Sequence, residues 1–94
     1  MSAAGSAKAC ERSFTVQSEL GLHARPAGRL AQLVGRFDSE ITLCRGDEWV
    51  SGSSVLSILC LAATQGTVLI VRAEGIDAEQ AVIEVGALIE APDE

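Results

Sequence analysis

The apolar residues of this 94-residue chain change their spacing along the sequence, and that change limits the folds open to it. Residues 13–18, S-F-T-V-Q-S, alternate apolar and polar side chains, which is the spacing of a half-buried strand. From Pro26 the spacing becomes helical, because Ala27, Leu30 and Val34 fall on one face of a helix. A fold that contains both strands and helices is the one compatible with two periods.

The same two periods recur in the second half of the chain. Short alternating or β-branched runs predict strands at residues 41–44, 49–51 and 67–73. The polar stretch 45–48 between the first two of these runs is typical of a hairpin turn. Three strands are therefore expected after the first helix.

Two further helices are predicted from their starting residues. Ser53 and Ser54 precede the apolar run V-L-S-I-L-C-L-A-A, and a serine at this place can accept a bond from a free helix amide. Asp77 with Gln80 resembles a capping box at the start of a last helix. The expected inner face of that helix carries Val82, Val85 and Leu88/Ile89.

The resulting order is β-α-β-β-α-β-α, which favours a single antiparallel or mixed sheet with the helices on one side. This is an open-faced sandwich of the α+β class, whose second sheet face is left partly solvated. We expect residues 1–11, which are small and polar, to form a flexible tail, and residues 12–91 to form one domain.

Charge and hydropathy exclude several functions. Seven basic against thirteen acidic residues give a net charge of −6, and the basic residues are scattered, which argues against nucleic acid as a partner. No stretch approaches the roughly 20 apolar residues that span a bilayer, so we expect no membrane insertion.

The three cysteines predict neither a disulfide framework nor a metal site. Cys10, Cys44 and Cys60 are odd in number and widely spaced, with no CxxC pair. We expect Cys44 and Cys60 to pack as small apolar side chains. The expected compartment is the cytoplasm, and no signal peptide is recognised near the start of the sequence.

The segment L-G-L-H-A-R-P-A at residues 20–27 holds the most distinctive chemistry. His23 directly precedes a helix, so the backbone amides of Ala24 and Arg25 and the positive helix end lie near its ring, where they favour an anion such as phosphate. Arg25 can add a forked donor, and an imidazole that titrates near neutral pH can be both nucleophile and leaving group. The alternative is a solvated histidine that only caps the helix, with Arg25 as an ordinary surface charge.

The stretch G-L-H-A-R-P-A resembles the active-site signature of HPr, the histidine-containing phosphocarrier of the bacterial phosphoenolpyruvate:sugar phosphotransferase system. The likeness continues through F-D-S-E-I-T-L, S-V-L-S-I-L, A-A-T-Q-G-T-V-L-I and A-E-G-I-D-A-E-Q-A, over roughly residues 13–90. It implies a four-stranded antiparallel sheet with three helices on one face. It also implies that His23 takes phosphate from phospho-enzyme I through Nδ1 and passes it to IIA proteins, with Arg25 steadying the phosphate.

The resemblance also assigns roles to the second predicted helix. Ser54 aligns with the serine that an HPr kinase/phosphorylase modifies in some bacteria, although this chain has Ser53 where many members have Lys or Arg. Val55 and Leu56 match positions that contact partners, whereas we expect Leu59 and Leu61 to be buried. The segment S-V-L-S-I-L-C-L resembles the nitrogen-related branch of the family more than the main sugar branch.

Two other functions compete with that of a phosphoryl carrier. A non-catalytic regulatory module of the same fold, controlled by serine phosphorylation, would need no histidine, so the presence of His23 argues against it. A small hydrolase such as an acylphosphatase needs an Asn to orient water, and this chain has none. The expected protein is a monomer without cofactor that carries a phosphoryl group rather than acting as a stand-alone enzyme.

Overall fold

Four strands and three helices alternate along residues 8–92, the part of the chain that the computed structural model describes. The strands are β1 (Lys8–Thr15), β2 (Glu40–Arg45), β3 (Glu48–Ser51) and β4 (Val68–Gly75). The helices are α1 (Ala24–Val34), α2 (Val55–Cys60) and α3 (Ala78–Ile89). This confirms the predicted order β-α-β-β-α-β-α. No helix within residues 8–92 has the length and hydropathy needed to cross a membrane.

The four strands form one antiparallel sheet in the order β1-β4-β2-β3. β4 lies inside the sheet, and its alternate residues Leu69, Val71 and Ala73 are fully buried beneath the helices. On the opposite face, Arg72 of the same strand bridges Glu11 at 3.4 Å and Glu74 at 3.3 Å. The sheet is therefore open on one side, as predicted from the hydrophobic pattern.

β1 begins earlier than its side chains indicate. We predicted a tail through residue 11, yet Lys8–Thr15 pairs along its whole length with β4, from Lys8 opposite Gly75 to Thr15 opposite Val68. Most of these side chains are exposed, so the strand is defined by backbone pairing rather than by alternating burial. The rest of the predicted tail, residues 1–7, lies outside the described residues.

The core lies between the sheet and the helices. Its largest fully buried side chains include Leu30, Leu43, Ile58, Leu61 and Leu69. Leu61 is thus buried as predicted, and Leu59 is half-buried against the core.

The cysteines divide differently from our expectation. Cys44 is buried, and its burial, with smaller contributions from nearby carboxylates, raises the pKa of the thiol and keeps it protonated. Cys60, at the end of α2, is exposed, so the prediction that it packs as a small apolar side chain is wrong. It follows the half-buried Leu59 on a short helix and falls on the solvent side.

The two predicted helix caps also have different outcomes. Ser54 caps α2 as expected, because its hydroxyl accepts a bond from the Ser57 amide at 3.1 Å. Asp77 precedes α3 but does not cap it, so the predicted capping box is wrong. Its carboxylate instead accepts bonds from the Asp38 and Ser39 amides, both at 2.9 Å, and from the Ser39 hydroxyl. The Asp77 carboxylate thus bonds to two amides and a hydroxyl of another loop instead of to the amides of its own helix.

This contact joins the α1–β2 connection to the β4–α3 connection, and it needs a glycine. Gly75 has φ +153°, and a Cβ there would lie 2.7 Å from the Ser39 Cα. The bonds that Asp77 accepts, with that from the Ser39 hydroxyl the strongest, lower the pKa of its carboxyl group. The charged form is therefore the one that stabilises the fold.

We expect Asp77→Asn to lower the melting temperature at neutral pH, because the variant loses the charge that three donors stabilise. Since the pKa of Asp77 is lower in the folded state, its contribution is present above the unfolded pKa and is lost as pH falls through the folded pKa. Thermal unfolding across this pH range should show the two proteins converging in acid. Asp47→Asn, in the exposed β2–β3 turn, is the matched control; an equal loss there would refute a specific role for Asp77.

Candidate functional site

His23 is the residue that immediately precedes α1. Its backbone is extended, with φ −80° and ψ −170°. Its amide donates to the Gly21 carbonyl at 3.0 Å, and its own carbonyl accepts from the Ala27 amide at 3.0 Å. The backbone is therefore engaged on both sides, whereas the imidazole makes no capping bond to the helix. This geometry therefore does not support the alternative in which the His23 ring only caps the helix.

The first turn of α1 presents two backbone donors beside His23. Ala24 and Arg25 are its first two residues, and amides at these positions have no carbonyl to reach within the helix. Pro26, third, has no N–H, so it leaves no further amide unsatisfied. Ala24 and Arg25 thus form the first turn that directly follows His23, where the sequence analysis expected them.

The loop before His23 is held against the loop that follows α2. The Gly21 amide donates to the Ser18 carbonyl at 3.0 Å, and the Leu22 amide donates to the Ala63 carbonyl at 2.9 Å. Gly21 has φ +71°, and a Cβ there would lie 2.4 Å from the Ala63 oxygen. Glycine is therefore required at position 21 by both its backbone angle and its contact.

Arg45 supports this contact through the two carbonyls that precede Ala63, a role that the sequence analysis did not predict. Its Nη1 atom donates to the carbonyls of Leu61 at 2.8 Å and Ala62 at 2.9 Å, directly before Ala63. Ala62 adopts φ 52°, a left-handed angle that is unusual for a residue other than glycine. The sequence indicates only that Arg45 belongs to a polar turn, since nothing in that stretch points to a distant backbone partner.

A pocket of about 220 Å³ opens beside the imidazole. One wall comes from the loop before α1 and the first turns of that helix, and the other comes from the end of α3 and the residues after it. The lining residues are Ser18, Leu20, His23, Arg25, Pro26, Arg29, Leu88, Ala91 and Pro92. Arg25 and Arg29 are the cationic side chains of this lining. The sequence analysis missed Arg29 and the α3 wall, because the pocket depends on how two distant segments pack together.

The start of α2 lies close to α1, and it exposes apolar side chains. Val55 is 38% and Leu56 is 73% exposed, while Leu20, in the loop before His23, is 70% exposed. Ser54 is half-buried with its hydroxyl engaged in capping, and Ser53 is exposed with its hydroxyl 2.8 Å from that of Ser51. Among the described residues, no group of three or more His, Cys, Asp or Glu side chains could hold a metal ion.

Comparison with known proteins gives one consistent family. A family model for the PTS HPr component phosphorylation site matches residues 10–91. The chain is similar to the phosphocarrier protein NPr of Shewanella violacea, with 41% identity over 86% of this chain and 89% of that protein. It is also similar to the phosphocarrier protein HPr of Xylella fastidiosa, with 39% identity over 85% of this chain and 90% of that protein.

Solved structures agree with the sequence relatives. A crystal structure of a phosphocarrier protein HPr from Bacillus anthracis superimposes with a TM-score of 0.84 at 29% identity. The superposition covers 87% of this chain and 98% of that one. The open four-stranded sheet and its three helices are thus also the fold of a solved relative.

We expect Gly21→Ala to destabilise the protein by about 2–4 kcal/mol and to shift the amide signals of Leu22 and His23 in NMR spectra. Gly46→Ala is the matched control, because Gly46 has φ +66° but no atom near the position of its Cβ. That variant should show only the cost of the backbone angle, about 1 kcal/mol. Equal losses of stability in chemical denaturation would mean that the contact with Ala63 has no role.

Proposed function

The chain belongs to the HPr family of phosphocarrier proteins of the phosphotransferase system, and we propose from this membership that His23 is its phosphoryl-accepting residue. We propose phospho-enzyme I as the donor and IIA proteins as the acceptors. Arg25 and the backbone amides of Ala24 and Arg25 are the groups that we propose to hold the phosphoryl oxygens.

The observation that carries this proposal is the combination of an engaged backbone and an uncommitted ring at His23. The imidazole lies at the positive end of an eleven-residue helix, makes no capping bond, and lines a pocket together with the Arg25 side chain. An anion placed there would meet two amides and a guanidinium. A module that only binds partners has no need of such an arrangement, so the regulatory alternative is less well supported.

The proposed transfer is an in-line exchange at phosphorus. A neutral ring nitrogen of His23 donates its lone pair to phosphorus, the N–P bond forms as the bond between phosphorus and the donor breaks, and the ring gives up the proton on its other nitrogen. In the second step an acceptor nucleophile displaces the imidazole, which leaves as a neutral ring after taking up a proton. Because the imidazole can act both as nucleophile and as leaving group, the exchange is reversible. The amides and Arg25 balance charge on the phosphoryl oxygens in both directions.

The exposed apolar residues Leu20, Val55 and Leu56 are the docking surface that we propose for the larger partners. Leu20 lies on the loop before α1, and Val55 and Leu56 lie at the start of α2, the helix that packs against α1. Apolar contacts of this kind supply association energy while leaving the adjacent polar pocket for chemistry. We propose the cytoplasm as the compartment, in keeping with three cysteines that are all free thiols.

We expect incubation with enzyme I and phosphoenolpyruvate to add one phosphoryl group to His23, measured as intact mass at neutral pH. The group should be lost in acid, because protonation of the ring makes it a better leaving group. His23→Ala should abolish the label, since the chain has a single histidine. A label that persists in His23→Ala would refute the proposal, whereas Gln32→Ala, an exposed change elsewhere on α1, should label normally.

Ser54 is the regulatory residue that we propose, and Ser54→Asp is its test. A negative charge at the start of α2 should stabilise the helix by about 0.3–1 kcal/mol through the helix dipole. Beside Val55 and Leu56, the same charge must be desolvated when a partner docks, so affinity for enzyme I should fall about tenfold. Calorimetry would measure both effects.

Ser13→Asp, on the open sheet face, adds an equal charge away from the proposed docking surface and should leave affinity unchanged. An unchanged affinity in Ser54→Asp would place Ser54 outside the interface, and a large loss of stability would contradict its capping position.

A further inference from the structure

We propose that Arg29 is a second phosphate-contacting residue of the His23 pocket, which deepens the proposed function and rests on it. The sequence analysis assigned Arg29 no role. It lines the same pocket as His23 and Arg25, and it is the second guanidinium there.

The helix geometry directs Arg29 towards the imidazole. Arg25 and Arg29 are four residues apart on α1, so they lie one above the other on one side of the helix. Helical side chains lean back towards the N-terminus, which is the end occupied by His23. Arg29 follows His23 by six residues, or about 9 Å along the axis at 1.5 Å per residue, a separation that a long, backward-leaning arginine and the added phosphoryl group can bridge together.

The charge of the ligand explains why a second cation matters. A phosphoryl group carries a charge of about −1.5 to −2 at neutral pH. Arg25 and the helix end, which acts as roughly half a positive charge, together supply about +1.5, so about half a unit of the dianion's charge is left unbalanced. Arg29 supplies the remainder. The opposite wall of the pocket, formed by Leu88, Ala91 and Pro92, is largely apolar.

The other cations within residues 8–92 are placed elsewhere. Arg45 bonds to the loop after α2, Arg72 pairs with carboxylates on the open sheet face, and Arg12 lies 5.7 Å from the centre of the Phe14 ring. Lys8 and Arg36 are not part of the pocket lining. Arg25 and Arg29 are therefore the two arginines that line this pocket.

The test uses chemically phosphorylated protein, which does not depend on enzyme I. Phosphoramidate can phosphorylate the single histidine, and ³¹P NMR then follows the titration of the phosphoryl group. A nearby cation favours the dianion, so removing it raises the midpoint of the titration. We expect Arg29→Gln and Arg25→Gln each to raise this midpoint by about half a pH unit, with Arg29→Lys closer to the unaltered protein.

Arg36→Gln is the matched control, because it removes the same charge just beyond the other end of α1. Position 36 is more than a Debye length from His23, so the titration midpoint of the phosphoryl group should not move in this variant. Equal midpoints for Arg29→Gln and Arg36→Gln would overturn the proposal, provided that both variants melt like the parent protein. Failure of enzyme I to label His23 would refute the proposed function instead, while the ³¹P comparison would still decide the role of Arg29.

Discussion

The hydrogen bond from the Leu22 amide to the Ala63 carbonyl determines where His23 stands relative to the rest of the molecule. It is made at 2.9 Å because Gly21 has no Cβ to separate the two loops. Arg45 holds the Ala63 side of this contact through the two preceding carbonyls. Since Leu22 is itself buried, the loop is anchored by packing as well as by hydrogen bonding. The imidazole that follows is therefore preorganised before any ligand arrives.

Helix α1 serves the core and the pocket with different faces. Ala27, Leu30 and Val34 are buried against the rest of the fold, while Arg25 and Arg29 line the pocket. Because both sets share one rigid helix, the packing that stabilises the protein also sets the spacing of the two guanidinium groups. A pocket built in this way needs no ligand-induced ordering of its first turns, which lowers the entropic cost of holding an anion.

Much of the fold could be predicted because it follows from local patterns. The order of the elements, the start of α2 at Ser54 and the burial of Leu61 all rest on periodicity or on a cap formed within a few residues. Cys60 was misjudged because it falls on the solvent side of a short helix, and the other errors concern groups whose partners are distant in sequence. The Asp77 carboxylate accepts hydrogen bonds from Ser39 instead of capping its own helix. The first residues of β1 are held by pairing with β4 rather than by burial of their side chains. The His23 segment was recognisable from its residues, but Arg29 became visible only when α3 closed the pocket.

The uneven distribution of charge has a consequence for how partners approach. The chain as a whole has a net charge of −6. The pocket end of α1, by contrast, carries two arginines and the positive helix terminus. In the field of an acidic partner, such a molecule experiences a torque that turns the pocket forward while the rest of the body is repelled. Encounters in which the pocket faces the partner are then favoured before any apolar contact forms. A small protein that must meet several larger ones in turn gains selectivity for one end of its surface at long range, and added salt would remove that advantage first.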